Sequence, residues 1–287
     1  MNKQKAALLS IFSNTVLIFF KVIAGISMGS VSVISEAIHS SIDLLASIIA
    51  FFSIKISSKA EDNDHPFGHG KYENVSGFVE ALLILLAAAL IVYQSIKRMF
   101  EGGTVENVSA GILVMLIAAA INFVISMILL KAAKRTDSIA LEADAMHLLT
   151  DVYTSIGVFI GLILLKITNI PIIDPITALL VATLIVKTSI TLIKKSLNDL
   201  VDSKLPDDDI SKILNVLDSH LEITMYHSLR TRKSGATREI NVNVHVFENV
   251  SLVDAHRLSD KIEEELNNVF PEESYVMIHL EPETSIK

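Results

Sequence analysis

The chain contains no cysteine, which excludes disulfides and thiolate metal sites outright. Any metal it binds must be held by imidazole and carboxylate, donors that suit zinc and other divalent transition ions. Positive charge is also short, the formal net charge being −8. Residues 1–200 balance 15 Lys and Arg against 15 Asp and Glu, whereas residues 201–287 hold 9 against 17. The second part is therefore acidic and water-facing, which disfavours nucleic acid as a partner. There is no internal repeat or low-complexity segment. No H-E-x-x-H motif occurs, so a membrane metalloenzyme with an open coordination position and a general base finds no candidate.

What is abundant is oil. Apolar residues make up 51% of the chain and the mean hydropathy is +0.52, high for a soluble domain, where about 45–50% is typical on a list that also counts glycine. The opening MNKQKAALLSIFSNTVLIFFKVIAG has a basic tip and an apolar run. It is too long for a signal peptide, carries Lys21 and lacks a small-x-small cleavage site, so it reads as a retained first helix. Six stretches, about 6–28, 31–56, 75–96, 109–130, 139–165 and 176–192, can each cross a bilayer, which takes about 20 residues. Gly29 and Ser30 make a tight hairpin between the first two; EGGTVEN and TNIPIIDP separate the third from the fourth and the fifth from the sixth. With the N-terminus inside, cytoplasmic flanks receive ten Lys and Arg and outer flanks three, which predicts both termini in the cytoplasm.

The pattern changes near 202–206, dividing a membrane domain (1–200) from a cytoplasmic domain (201–287). PDDDISKILNVLDSH is an amphipathic helix with the acidic first turn its dipole favours. His220, at its end, is expected to cap carbonyls. EITMYHSLRTRK and TREINVNVHVFE are strands about a Ser234, Gly235, Ala236 turn, and in the second Ile240, Val242, Val244 and Val246 alternate with polar residues. A further helix, SLVDAHRLSDKIEEELNNVF, and a closing strand, SYVMIHLEP, complete an αββαβ order, a compact ferredoxin-like α+β unit.

Nine histidines carry the main clue. In EAIHSSIDLL, His39 and Asp43 are four apart, as are His147 and Asp151 in EADAMHLLTDV. That spacing places each pair on one helix face. The second and fifth spans run oppositely, so His39 comes level with Asp151 and Asp43 with His147. Two imidazoles and two carboxylates at mid-membrane depth are a tetrahedral N₂O₂ set suited to zinc, placed where charge is expensive. Glu36 and Asp144 share these faces as pathway or supporting groups. In the loop AEDNDHPFGHGKYEN, Asp62, His65 and His69 stand beside Pro66, Gly68 and Gly70. A turn-rich loop with such residues can bind a metal; the same composition also suits a solvated cytoplasmic loop.

HPFGHGKYE and EADAMHLLTDV, with the six spans and the terminal α+β unit, make nearly the whole chain resemble the cation diffusion facilitators, membrane transporters that export zinc and related divalent ions. The resemblance implies a homodimer in the cell membrane, exchanging cytoplasmic metal for protons by alternating access. Matched by position, it implies a transport site of His39, Asp43, His147 and Asp151 and a loop site of Asp62, His65 and His69. It further implies that Lys71 pairs with Asp202, joining the two domains near the dimer axis. In the cytoplasmic domain His227, His256 and His279 match family metal positions, and Glu281 stands where Asp is common. One usual strand histidine is replaced by Asn243, with His245 two residues on. Two residues along a strand keep one face, so His245 either substitutes or is exposed. His at the first position of the second span is similar to zinc-selective members; Asp accompanies broader zinc and cadmium use, and Asn manganese. The expectation is a proton-coupled zinc exporter and not an enzyme, with Zn2+ as its bound and carried ion and lipid, metal ions and protons as partners. Iron, cobalt, cadmium or manganese as main cargo, and a membrane metal sensor without transport, are the alternatives.

Overall fold

The computed structural model describes residues 2–28, 31–101, 109–168, 170, 172–270 and 274–283. The expected hairpin at Gly29 and Ser30, most of EGGTVEN, and Asn169 and Pro171 of TNIPIIDP lie outside the described residues. Six long helices come first: α1 (Lys3–Met28), α2 (Val31–Ser57), α3 (Lys71–Glu101), α4 (Ser109–Thr136), α5 (Ile139–Thr168) and α6 (Ile173–Leu200). The shortest has 26 residues and the longest 31, so each is about 40 Å or more in length. Among the described residues, five of them are long and apolar enough to cross a membrane. The other, α5, carries Glu142, Asp144 and Asp151 and packs against α3, α4 and α6.

Side-chain size is sorted inside out. Ala6, Ala7, Ala50, Ala81, Ala88 and Ala133 are buried, while Phe12, Phe19, Phe20, Leu86, Leu180 and Leu184 face outward. Helices in lipid gain nothing by hiding large apolar groups from it, and small residues let their backbones approach closely. Buried Ile54, Leu129, Leu141 and Leu148 join α1, α2, α4 and α5. Ile84, Ile185 and Leu192 join α3 to α6.

The cytoplasmic part follows the αββαβ order: α7 (Asp207–Asp218), β1 (Ile223–Ser234), β2 (Thr237–Val246), α8 (Leu252–Val269) and β3 (Ser274–Pro282). The strands lie in the order β1-β2-β3, with β1 antiparallel and β3 parallel to β2. Ile240, Val242, Val244 and Val246 form the inner row of β2 and meet Ile213 and Leu217 of α7 and Leu258, Ile262 and Leu266 of α8. Ser251 caps α8, its hydroxyl accepting from the Asp254 N–H at 3.1 Å. His220 does not cap carbonyls as expected: it is buried, with Nε2 3.2 Å from Glu265 Oε2. A partner on α8 claims the ring because the end of α7 is covered rather than solvated.

The β1–β2 turn is the plug that joins the two parts. Gly235, at φ +62°, lies so close to Gly70 that a Cβ on it would sit 2.6 Å from the Gly70 carbonyl oxygen. Its N–H donates to Asn74 Oδ1 at 2.8 Å, and Asn74 Nδ2 donates to Asp199 Oδ2 at 3.0 Å. Around this contact Lys71 Nζ is 2.8 Å from Asp202 Oδ1. Asp137, in the α4–α5 turn, receives Lys233 at 2.8 Å and Arg238 at 2.9 Å, and Arg238 also reaches Asp209 at 2.8 Å. Burial works against the Asp137 carboxylate, yet Lys233 and Arg238 outweigh it and hold the group below its usual range. Asp209 is held low in the same way, burial being overcome by Arg238 and Lys212. Such carboxylates lend stability above their unfolded value of about 3.9 and withdraw it as pH falls through the lower folded value. Proteolysis between residues 201 and 206 should therefore stay constant from about pH 8 to 5 and rise only below about pH 4. A rise already at pH 6 would contradict this origin.

Candidate metal sites

The membrane constellation is built by two antiparallel helices with the same spacing. On α2, His39 and Asp43 are one turn apart; on α5, His147 and Asp151 are too. His147 Nε2 lies 3.0 Å from Asp43 Oδ1, and His39 Nε2 lies 4.0 Å from Asp151 Oδ1. One ligand atom each from His39, Asp43 and Asp151 can be chosen so that all fall within 4.8 Å of one another; His147 adjoins them through Asp43. The constellation is graded: His147 and Asp43 are buried, whereas the His39 side chain is 51% exposed. A hydrogen bond of 3.0 Å needs a proton between the two atoms. A metal ion bound by both must take that proton's place.

Behind the four residues lies a polar seam that reading the sequence did not single out. Ser47, one turn beyond Asp43, donates to Asp144 Oδ1 at 2.8 Å and receives Asn14 Nδ2 at 2.9 Å. Lys21, buried in α1, donates to Ser40 Oγ at 2.6 Å. Extending the i, i+4 row from Asp43 to Ser47 was the one available signal, and a serine in a membrane helix is too ordinary to act on. The side chain of Glu36 lies outside the described residues.

The α2–α3 loop gathers Asp62, His65 and His69 within the same 4.8 Å limit. His65 Nδ1 is 3.1 Å from Asp62 Oδ1, and His69 Nε2 is 3.3 Å from Asp62 Oδ2. The backbone N–H of His65 donates to Asp62 at 2.7 Å and helps hold the carboxyl below its usual value. His69 donates from Nδ1 to the Ala60 carbonyl at 3.2 Å, which leaves Nε2, beside Asp62, as the ring nitrogen free to ligate a metal.

In the cytoplasmic domain Glu281 is the centre. Its Oε2 lies 3.6 Å from His227 Nε2 and 3.5 Å from His245 Nε2, while Oε1 lies 3.5 Å from His279 Nε2 and accepts from Asn243 at 2.7 Å. His245 is buried rather than exposed, with Nδ1 facing the Pro282 carbonyl at 3.3 Å. A register shift in β1 after His227, with Ser228 at φ 54°, turns the His227 ring to the same place. His256 is not brought to this group: it stands exposed on α8, 3.6 Å from Asp260.

Two family models cover most of the chain. The model described as the cation efflux transmembrane domain matches residues 7–201, and that of the cation efflux protein cytoplasmic domain matches residues 205–283. An uncharacterised transporter of Synechocystis is 33% identical over 88% of this chain and 82% of its own. The manganese efflux system protein MneP of Bacillus subtilis is 29% identical over 97% and 96%. The cation-efflux pump FieF of Yersinia enterocolitica is 28% identical over 97% and 92%.

Proposed function

The chain belongs to the cation efflux family, whose members carry divalent metals across membranes, and from that premise we propose that it exports zinc in exchange for protons. The spacing of 3.0 Å between His147 Nε2 and Asp43 Oδ1 carries the reading. Zinc arriving from the cytoplasm binds neutral imidazole and ionised carboxylate, so it displaces the shared proton, and acid on the far side drives the reverse. His39 and Asp151, at 4.0 Å, complete a tetrahedral N₂O₂ shell once α2 and α5 draw together. Alternating access then exposes the loaded shell to the outside.

We assign residues 1–200 to transport and 201–287 to metal sensing and dimerisation, with both termini in the cytoplasm and the bundle in the cell membrane. Asp62, His65 and His69 serve as a loop site. His227, His245 and Glu281, with His279 on the other carboxylate oxygen, serve as the cytoplasmic site, and Lys71 with Asp202 holds the two domains in register. Mixed nitrogen and oxygen donors favour zinc, and the name of the Bacillus subtilis relative keeps manganese as the chief rival cargo. Iron, cobalt and cadmium suit the same donors.

Proteoliposomes holding a metal-sensitive dye decide between them. Zinc should enter faster than manganese, iron, cobalt or cadmium, by about tenfold, and faster still against an opposing proton gradient. Faster manganese entry would reassign the cargo, and no metal entry at any pH would favour a sensor.

A further inference from the structure

Below the His147–Asp43 pair, towards the cytoplasmic domain, two further acids are enclosed that the export cycle leaves unused. Glu80 of α3 and Asp144 of α5 are both 0% exposed. Ser76 donates to Glu80 Oε1 at 3.1 Å, and Ser47 donates to Asp144 Oδ1 at 2.8 Å. Their other oxygens, Glu80 Oε2 and Asp144 Oδ2, are buried without a hydrogen-bond partner, and so is Nδ1 of His147. Among the described residues neither carboxylate has an ion-pair partner. Their helices α3 and α5 pack against each other, which brings the Asp144 charge to bear on Glu80. Two ionised carboxylates enclosed on packed helices inside a membrane, neither with an ion-pair partner among the described residues, carry a large desolvation cost plus mutual repulsion.

We propose that Glu80 and Asp144 form a proton-binding pair, a second proton site of the exchange on the cytoplasmic side of the metal ligands. It rests on the proton-exchange reading above. A proton fits because it needs no space, whereas full enclosure leaves no opening for a hydrated metal ion. Ser47 offers the route: it stands one turn from Asp43 on α2 and donates to Asp144 at 2.8 Å, with Ser10 Oγ 2.9 Å from Ser47 Oγ. The proton displaced by metal from between His147 and Asp43 passes by way of Ser47 to Asp144. There it is held between the two carboxyls and released towards the cytoplasm; only N–H and O–H bonds form and break.

The neighbours do not neutralise the pair in another way. His147 and Asp43 face Asp144 from the metal constellation, and α1 contributes neutral Ser10 and Asn14. From α6, Ser189 donates to the Ala81 carbonyl beside Glu80 at 2.8 Å, while Lys187 is exposed and Lys195 holds Glu142 at 2.5 Å. On α4, Ala132 and Ala133 are buried against this region and Lys131 and Lys134 are exposed.

The test is Glu80→Gln in proteoliposomes, with zinc entry and proton counterflow recorded together. Zinc entry should continue with about one proton fewer per zinc and lose part of its acceleration by an opposing pH gradient. A wild-type proton-to-zinc ratio in the variant would overturn the proposal. Absence of any proton flow in the wild type would instead overturn the exchange reading on which it rests. If the variant moves no zinc, infrared spectra of the metal-free protein decide: the protonated-carboxyl C=O band should disappear with Glu80→Gln or Asp144→Asn, and an unchanged band would refute the pair. One fewer zinc bound at equilibrium by Glu80→Gln would also refute it, by making the pair a metal site.

Discussion

If the chain carries zinc as proposed, its efflux should fall by more than about 100-fold when Asp43 is replaced by alanine, since loss of a residue that merely supports a metal ligand already costs 10–100-fold. Asp43 is buried, and it holds His147 Nε2 at 3.0 Å. Removing it would delete one proposed oxygen ligand and free the His147 ring that it holds. Asp151→Ala should match it, because a lone remaining carboxylate leaves a dication with one negative charge inside the membrane. His39→Ala should cost less, since its ring is half exposed and stands 4.0 Å from Asp151. Flux in proteoliposomes, normalised to inserted protein, measures the series. Near-normal zinc entry in Asp43→Ala would remove the site from α2 and α5 altogether.

Arg238→Gln should lower stability by about 1–3 kcal/mol, the cost of leaving buried acceptors without one of their donors. Its guanidinium serves two carboxylates on different elements, Asp137 in the α4–α5 turn at 2.9 Å and Asp209 of α7 at 2.8 Å. The guanidinium carbon also stands 4.5 Å from the centre of the Phe270 ring. Losing it leaves Asp137 to Lys233 and Asp209 to Lys212 alone, and the link between the α4–α5 turn and α7 is gone. Adding Asp137→Asn to the variant should cost less than it does alone, because the Arg238 bond that it would break is already gone. Thermal melting of the detergent-solubilised full chain reads both effects. A melting temperature equal to wild type in Arg238→Gln would show that the turn docks by packing alone.

How much of this was legible depended on how local each cause is. The membrane helices came from hydropathy, and hydropathy reports the oil rather than the helix. That is why α3 runs on to Glu101 past Ile96 and α6 to Leu200 past Leu192: charged turns continue the hydrogen-bond ladder into water. The αββαβ order was readable because β2 alternates with period two and α7 and α8 are amphipathic. The H-x-x-x-D spacing marked the faces of α2 and α5 that the structure brings together. His220 was misjudged because its fate turns on Glu265, 45 positions away. Asp137 gave no signal at all, being one acid in a turn until Lys233 and Arg238 reach it from β1 and β2.

The sequence by itself determined the donor chemistry, the membrane character and the helix faces, since composition and period are properties of a segment alone. Without cysteine, and with His39, Asp43, His147 and Asp151 in apolar surroundings, only imidazole and carboxylate are left to meet a cation there. Tertiary structure alone decided which acids are sealed away without a counter-charge and which hold the domains together. Ser47 against Asp144, Glu80 beside Asp144, and Arg238 between Asp137 and Asp209 are each made across a distance in the chain. The energy of a buried charge depends on what stands within a few ångströms of it, and that company is assembled only when the helices and the sheet come together.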